Sequence, residues 1–245
     1  MTTRLDVMLV SRGLVDSRAR ARAAIEAGGV TVNGRPARAA SEKVTDDAVL
    51  TVEPPHPWVG RGAWKLVHAL DLWPVVVEGR TVLDVGASTG GFTEVCLARG
   101  AARVFAVDVG SGQMHPRVAA DARVTVLERT DARSLTPDLI STPPELIVCD
   151  ASFISLIKVL PVALDLVPEE AELIALVKPQ FEADGPGAVG KGGIVKDVEA
   201  RRAAVERVSA WLESLGWTVR STTESPIPGG DGNVEYLLWA SRRPG

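Results

Sequence analysis

Polar residues end several apolar runs in this chain, and a polar end on an apolar run is a place where chemistry can be positioned. Asp84 lies in TVLDVGA, just ahead of the glycine-rich stretch Gly86-Ala87-Ser88-Thr89-Gly90-Gly91-Phe92; Asp108 ends FAVD, Asp150 ends ELIVCD and Lys178 ends AELIALVK. A glycine-rich turn leading from a strand into a helix lets the backbone approach a nucleotide or a nucleotide-like cofactor. Two common forms of that turn fail at identifiable positions. The dinucleotide fingerprint needs a glycine where Ser88 stands, and a Walker A loop needs a Lys followed by Ser or Thr where Phe92 stands. Asp108 lies about twenty residues beyond the loop, the spacing of a carboxylate that accepts hydrogen bonds from ribose hydroxyls. An adenosine without a pyrophosphate suits the set.

The elements that must position these residues follow from periodicity. TVLDVGA, RVFAVDVG, VTVLER, ELIVCDA and AELIALVKP recur with helical or loop segments between them, the rhythm of a parallel sheet covered on both faces. TVRSTTES and VEYLLWAS add two further strands near the end. Residues 1–55 read differently. LDVMLVSRGL has a helical pattern, Asp16-Ser17 stands as a cap before SRARARAAIEAG, and VTVNGRPA alternates into an Asn-Gly turn, together a small α+β module. The prolines of EPPHPWVG place a linker at 56–60, ahead of a larger α/β domain over 61–245.

With 245 residues, 46% of them hydrophobic, the chain can bury one large core and a small second one, which excludes a natively disordered protein. Its formal charge of -4 excludes a polycation that coats nucleic acid indiscriminately, so any nucleic-acid site is a local patch. Arg4, Arg12, Arg18, Arg20 and Arg22 form the candidate patch, with Arg18 and Arg22 four residues apart on one helix face. A solvated helix face is the competing reading. Cys96 and Cys149 fall in apolar patterns and, like His56, His68 and His115, show no metal-ligand spacing. The N-terminus carries no apolar signal core, and no uncharged stretch reaches the ~18 apolar residues of a membrane span. A reduced cytoplasmic setting is expected.

DVGASTGGFT resembles motif I of S-adenosylmethionine-dependent methyltransferases in the form found in the FtsJ-related ribose 2'-O-methyltransferases. RLD (4–6), GLVDSR (13–18), GGVTVNG (28–34) and KVTDD (43–47) are similar to the S4 RNA-binding domain. These stretches, joined through RGAWKL (61–66) and followed by VKPQFE (177–182) and GNVEYL (232–237), resemble the haemolysin A (TlyA) family of ribosomal RNA methyltransferases over nearly the whole chain. Gly60 departs from the resemblance where a serine is expected before Arg-Gly, and QMHPRVAADARV is less aromatic and less basic than the family's usual run.

The resemblance implies a Rossmann-like seven-stranded methyltransferase sheet with an N-terminal S4-like domain, S-adenosyl-L-methionine as cofactor, and ribosomal RNA or a ribosomal subunit as partner, with cytidine ribose as acceptor; a non-enzymatic RNA-binding ribosome-assembly factor and a membrane-active haemolysin are the competing readings. A monomer is expected. It also implies a catalytic set that maps onto Lys65, Asp150, Lys178 and Glu235. Topology supports two of these independently, because Asp150 and Lys178 end parallel strands, at the edge where open α/β sheets bind ligands. They also suit a structural ion pair, and Lys65 and Glu235 alone read as ordinary surface residues. A ribose hydroxyl must lose its proton as it attacks a methyl group in line. Lys178 suits two roles: a base with its pKa pushed down by Lys65 and the cofactor's sulfonium against the opposing carboxylates of Asp150 and Glu235, or a cation that stabilises the developing alkoxide. Asp131, in ERTDARSL, is placed either to accept from an adenine amino group or to form a turn.

Overall fold

The structure is a computed structural model describing residues 2–26, 28–52, 57–182, 190 and 192–243, so the expected linker at 56–60 lies partly outside the described residues. The N-terminal module runs β1 (Thr2–Arg4), α1 (Leu5–Ser11), α2 (Arg18–Glu26), β2 (Val30–Val32), β3 (Arg35–Pro36), β4 (Lys43–Thr45) and β5 (Leu50–Val52). β1 pairs with β4, and β2 lies between β3 and β5. The Ser17 hydroxyl accepts from the Arg20 N–H and starts α2. Asn33 and Gly34 both take positive φ, 51° and 75°, the backbone that a two-residue hairpin with right-handed strand twist requires. Leu5, Leu9, Ala21 and Val30 are fully buried in a core of the module's own.

The larger module continues with α3 (Ala63–Leu72), β6 (Thr81–Val85), α4 (Gly91–Ala98), β7 (Arg103–Val107), α5 (Pro116–Ala119), β8 (Val124–Leu127), β9 (Leu146–Cys149), α6 (Leu156–Val159) and α7 (Pro161–Asp165). β10 (Ala171–Val177), α8 (Pro179–Glu182), α9 (Val198–Ser214), β11 (Thr218–Glu224) and β12 (Tyr236–Arg242) complete it. All seven expected strands form one sheet, in the order β11-β12-β10-β9-β6-β7-β8. From β8 to β10 the neighbours are parallel, while β12 runs antiparallel to both β10 and β11.

Separate apolar clusters cover the two faces. Leu83, Phe105, Ile147 and Leu173 point to one; Val82, Val104, Val148 and Ile174 point to the other. This alternation within continuous apolar runs is what places the sheet in the interior. The carboxyl ends of β6, β7, β9 and β10 share an edge with the beginning of antiparallel β12, so residues far apart in sequence meet there. Among the described residues no helix is long and apolar enough to cross a membrane.

Candidate active site

Each of the four residues expected to form a catalytic set arrives at that edge from a different element. Asp150 follows β9, Lys178 follows β10, Glu235 immediately precedes β12, and Lys65 lies in the first turn of α3, which folds over the edge. Lys65 Nζ donates to Glu235 Oε2 at 2.6 Å and lies 3.8 Å from Asp150 Oδ2. Lys178 Nζ lies 2.6 Å from Asp150 Oδ1 and donates to the Ser152 hydroxyl at 2.7 Å and to the Asp150 carbonyl at 3.3 Å. Charges therefore alternate along Lys178, Asp150, Lys65 and Glu235 and sum to zero. Lys65 and Lys178 are each 6% exposed and Glu235 3%. Burying ions is costly even when they are paired, and apolar residues of similar size often hold a fold together as well. Such a group is better explained by chemistry than by stability.

Lys178 departs from one of the two sequence expectations. Burial acts to lower its pKa, but the carboxylates of Asp150 and Glu235 outweigh burial and raise it above the ordinary lysine value. Lys65, expected together with the cofactor's sulfonium to push it down, is bonded to Glu235. The free protein thus holds Lys178 as an ammonium at neutral pH. Lys178 and Asp150 Oδ1 thus form a close, buried ion pair, and the exposed remainder of the Asp150 carboxylate faces the cavities.

Two cavities meet at this point. One, of about 490 Å³, contains Lys65, Lys178, Glu235 and the loop residues Ala87, Thr89, Gly91 and Phe92; the other, of about 600 Å³, contains Asp108 and Asp131. Gly86, Ser88, Asp150, Ser152 and Phe153 line both. Both volumes fall in the range of about 300 to 1,000 Å³ typical of small-molecule sites. Gly28 of the N-terminal module lines the first cavity.

Asp108 Oδ2 accepts from the Ser88 N–H and Oδ1 from the Gly110 N–H, each at 2.7 Å, which ties the glycine-rich loop to the end of β7. Each carboxylate oxygen has a second lone pair, so Asp108 can still accept from ribose hydroxyls. Val109 beside it is 72% exposed and supplies an apolar surface. Donor-accepting oxygens beside an apolar patch fit an adenosine.

Asp131 is partly committed elsewhere. It caps the short helical turn Ala132–Ser134, and Arg133 binds its carboxylate, holding its pKa below the usual range. Asp84 lines neither cavity. It is fully buried, accepts from the Thr93 hydroxyl of α4 at 2.6 Å, and braces β6 to that helix beneath the loop. Direct contact with a cofactor is therefore corrected to support of the loop. Burial pushes its pKa up to about 7, against the hydrogen bond from Thr93.

The glycines serve the chain's own close approach. A Cβ on Gly86 would lie 2.9 Å from the backbone of Ala151, and Gly90, which lines neither cavity, caps α4 at φ 91°. Gly60 has a local reason as well, since a Cβ there would stand 2.7 Å from Thr89 Oγ1.

The arginines separate into three groups. Arg4 and Arg18 donate to the buried Asp6 carboxylate and Arg22 lies 3.7 Å from it, whereas Arg20 pairs with Asp16 and Arg12 donates to the carbonyls of Asp46 and Ala48. The five thus differ in the partners that hold them. Sequence reasoning missed Phe153, which is 86% exposed on the wall shared by the cavities and held at φ 65°, with the Phe181 ring 5.3 Å away. A bulky residue in that conformation is strained, and such strain gathers at functional sites. No local residue pattern signals it.

Comparison with known proteins shows the family and the fold. The family model for FtsJ-like methyltransferases matches residues 58–242 and that for the S4 domain matches residues 3–50. The 16S/23S rRNA (cytidine-2'-O)-methyltransferase TlyA of Mycobacterium tuberculosis is 49% identical over 238 residues, covering 96% of this chain and 88% of its own. A solved protein from Streptococcus thermophilus, provisionally named a hemolysin, superposes with a TM-score of 0.77 at 36% identity, over 99% of this chain and 89% of that one. At 18% identity, over 75% of this chain and 78% of that one, a Burkholderia thailandensis methyltransferase holding S-adenosylhomocysteine shares the fold alone, with a TM-score of 0.50. The chain belongs to the TlyA family of FtsJ-like methyltransferases that carry an S4 domain.

Proposed function

We propose that this protein transfers a methyl group from S-adenosyl-L-methionine to a ribose 2'-hydroxyl of ribosomal RNA, with cytidine as the acceptor nucleoside. The observation that carries the reading is the meeting of two cavities at Asp150, one furnished for an adenosine and the other lined by the alternating charges. The cofactor, when bound, supplies an electrophilic methyl group on a sulfonium. Asp108 would hold its ribose, Asp131 and Val109 its adenine side, and the loop from Gly86 to Phe92 would form the floor between the two ligands.

The acceptor hydroxyl would enter the first cavity beside the exposed part of the Asp150 carboxylate, which would take its proton as the oxygen accepts the methyl group released from the sulfonium and the neutral thioether departs. Lys178, charged and nearly buried, stabilises the negative charge that develops on that oxygen. Lys65 and Glu235 hold Asp150 from its other side. Phe153, exposed on the wall shared by the cavities, would offer a ring to the acceptor's base. The N-terminal module, residues 1–55, recruits structured RNA, while residues 61–245 carry out the transfer in the cytoplasm; one chain contains every group required, so a monomer suffices.

Purified protein incubated with methyl-labelled cofactor and each isolated ribosomal subunit should yield 2'-O-methylcytidine after nuclease digestion. Label on a base, or none in either subunit, would overturn the proposal.

A further inference from the structure

Glu235 has a supporting structure of its own. It sits where the loop between β11 and β12 closes, and its carbonyl accepts from the Ser225 N–H at 2.9 Å. That hydrogen bond fixes the main chain and leaves the carboxylate to be placed by something else. Oε2 is engaged by Lys65. Oε1 lies against Gly229, so close that a Cβ on that residue would collide with it.

Gly229 is held there in turn, because its N–H donates to the Asn233 carbonyl at 2.9 Å in a tight turn that Gly232 closes at φ 84°. Asn233 is 1% exposed and both ends of its side chain are in use. Oδ1 accepts from the Val195 N–H and Nδ2 donates to the Gly193 carbonyl, each at 2.9 Å. A buried amide satisfied on both sides admits one arrangement of the chains it joins, since any other leaves a polar group unpaired.

We propose that Asn233 and Gly229 are positioning residues for the reaction: Asn233 fixes the 229–233 turn against the 193–195 segment, and Gly229, by lacking a side chain, leaves the one space in which the Glu235 carboxylate can reach Lys65. This rests on the transfer reaction proposed above, and it assigns to that reaction two residues that touch neither ligand. An asparagine that only stapled a loop would stabilise the protein without any particular link to Glu235.

The decisive experiment uses the full-length chain with Asn233→Ala, Gly229→Ala, Glu235→Gln and the two double variants that combine Glu235→Gln with each of the first pair. Single-turnover transfer to the ribosomal subunit that the wild type methylates, the dissociation constant for S-adenosylhomocysteine and thermal unfolding are measured for each. Misplacement of a group by about 1 Å can cost about 100-fold in rate. A loss of about 10- to 100-fold is therefore expected in each single variant, with cofactor-product affinity unchanged within about twofold and little further loss in the Glu235→Gln background. Full rates in either folded single variant would overturn the proposal, and so would losses that multiply with that of Glu235→Gln. If Asn233→Ala unfolds, Gly229→Ala decides.

Crystal structures give a reading independent of the reaction, since the proposal expects Glu235 to move away from Lys65 in Gly229→Ala. Retention of the 2.6 Å hydrogen bond overturns the positioning role, even if the wild type transfers nothing. Absence of transfer by the wild type, with Glu235 displaced from Lys65 in the variant, counts against the proposed function alone.

Discussion

Asp6 in the N-terminal module and Asp84 in the larger one are both fully buried carboxylates, and they differ in every other respect. Hydrogen bonds from Arg4 and then Arg18 outweigh burial at Asp6 and hold its pKa well below the usual carboxylate range. Asp84 has the hydroxyl and backbone of Thr93 but no cation, so burial wins and the pKa rises to about 7. What covers each group explains the contrast. Asp6 is shielded by guanidinium groups that are themselves 41% to 54% exposed, whereas Asp84 is enclosed under the loop and α4. One module uses a carboxylate to gather positive charge at its surface; the other uses one to support a loop. The chain of four charges at the sheet edge lies between these extremes, with Lys65, Lys178 and Glu235 nearly as buried as Asp84 and all four paired like Asp6.

That intermediate position gives the largest expected effect. Lys178→Ala would leave Asp150 with an unbalanced carboxylate and no cation facing the acceptor oxygen. Single-turnover transfer should fall by about 10² to 10⁴, while cofactor and RNA still bind. Lys178→Arg keeps the charge and cannot act as a base near neutral pH, so substantial recovery is expected from a cation that stabilises charge. No recovery in a variant that binds both ligands is compatible with proton removal by Lys178 and equally with the different shape of the guanidinium. Near-normal rates in the alanine variant would make the group a structural one.

Asp84 offers the next test, with its direction set by linkage. A carboxyl whose folded pKa lies above its unfolded value binds more protons in the folded state between the two, so its contribution to stability is complete below the lower value and disappears as pH rises through the higher. With 3.8 unfolded and about 7 folded, that contribution is on the order of 4 kcal/mol. Urea unfolding of the wild type and of Asp84→Asn should therefore give stability curves whose difference declines from about pH 4 to pH 7 and is level above it. Parallel curves over that interval would show that Asp84 is ionised in the fold, and the contrast with Asp6 would lose its basis.

Most of the architecture was legible because long apolar runs alternate with helical segments, and a buried parallel sheet has few other ways to use them. Strand order was not, since an apolar run carries no mark of its neighbour. The placement of Asp84 was hidden for a related reason: every residue of β6 is buried, so neither face announced itself as the side of a ligand. Asp6 lies inside a helical pattern of apolar residues, where a charged residue reads as solvent-facing. Only the fold reveals that three arginines converge on it. The sign of the Lys178 shift depended on distances, because Lys65 had to be near enough to count and proved to be held by Glu235 instead. The four-residue set itself came from family resemblance for Lys65 and Glu235, and from strand ends for Asp150 and Lys178.

The smallest expected effect lies at the other end of the comparison, in the arginines that Asp6 does and does not hold. Around Asp6 three cations face one anion, which leaves two positive charges on a half-exposed surface suited to phosphate. Joint replacement of Arg4, Arg18 and Arg22 by glutamine should weaken RNA binding and flatten its dependence on salt, by up to about 0.7 to 0.9 in slope for each phosphate no longer neutralised. Arg20→Gln is the internal control. Its guanidinium is paired with Asp16 on the exposed face of α2, a neutral pair that contributes little to stability and offers no net charge to a polyanion. Affinity and slope in that variant should stay within about twofold of the wild type at moderate salt, where exposed charges more than about 10 Å apart are screened. An equal loss from the single and the triple variant would show that RNA follows the whole helix face rather than the cluster gathered by Asp6. An unchanged slope in the triple variant would leave Asp6 and its arginines as a purely structural network.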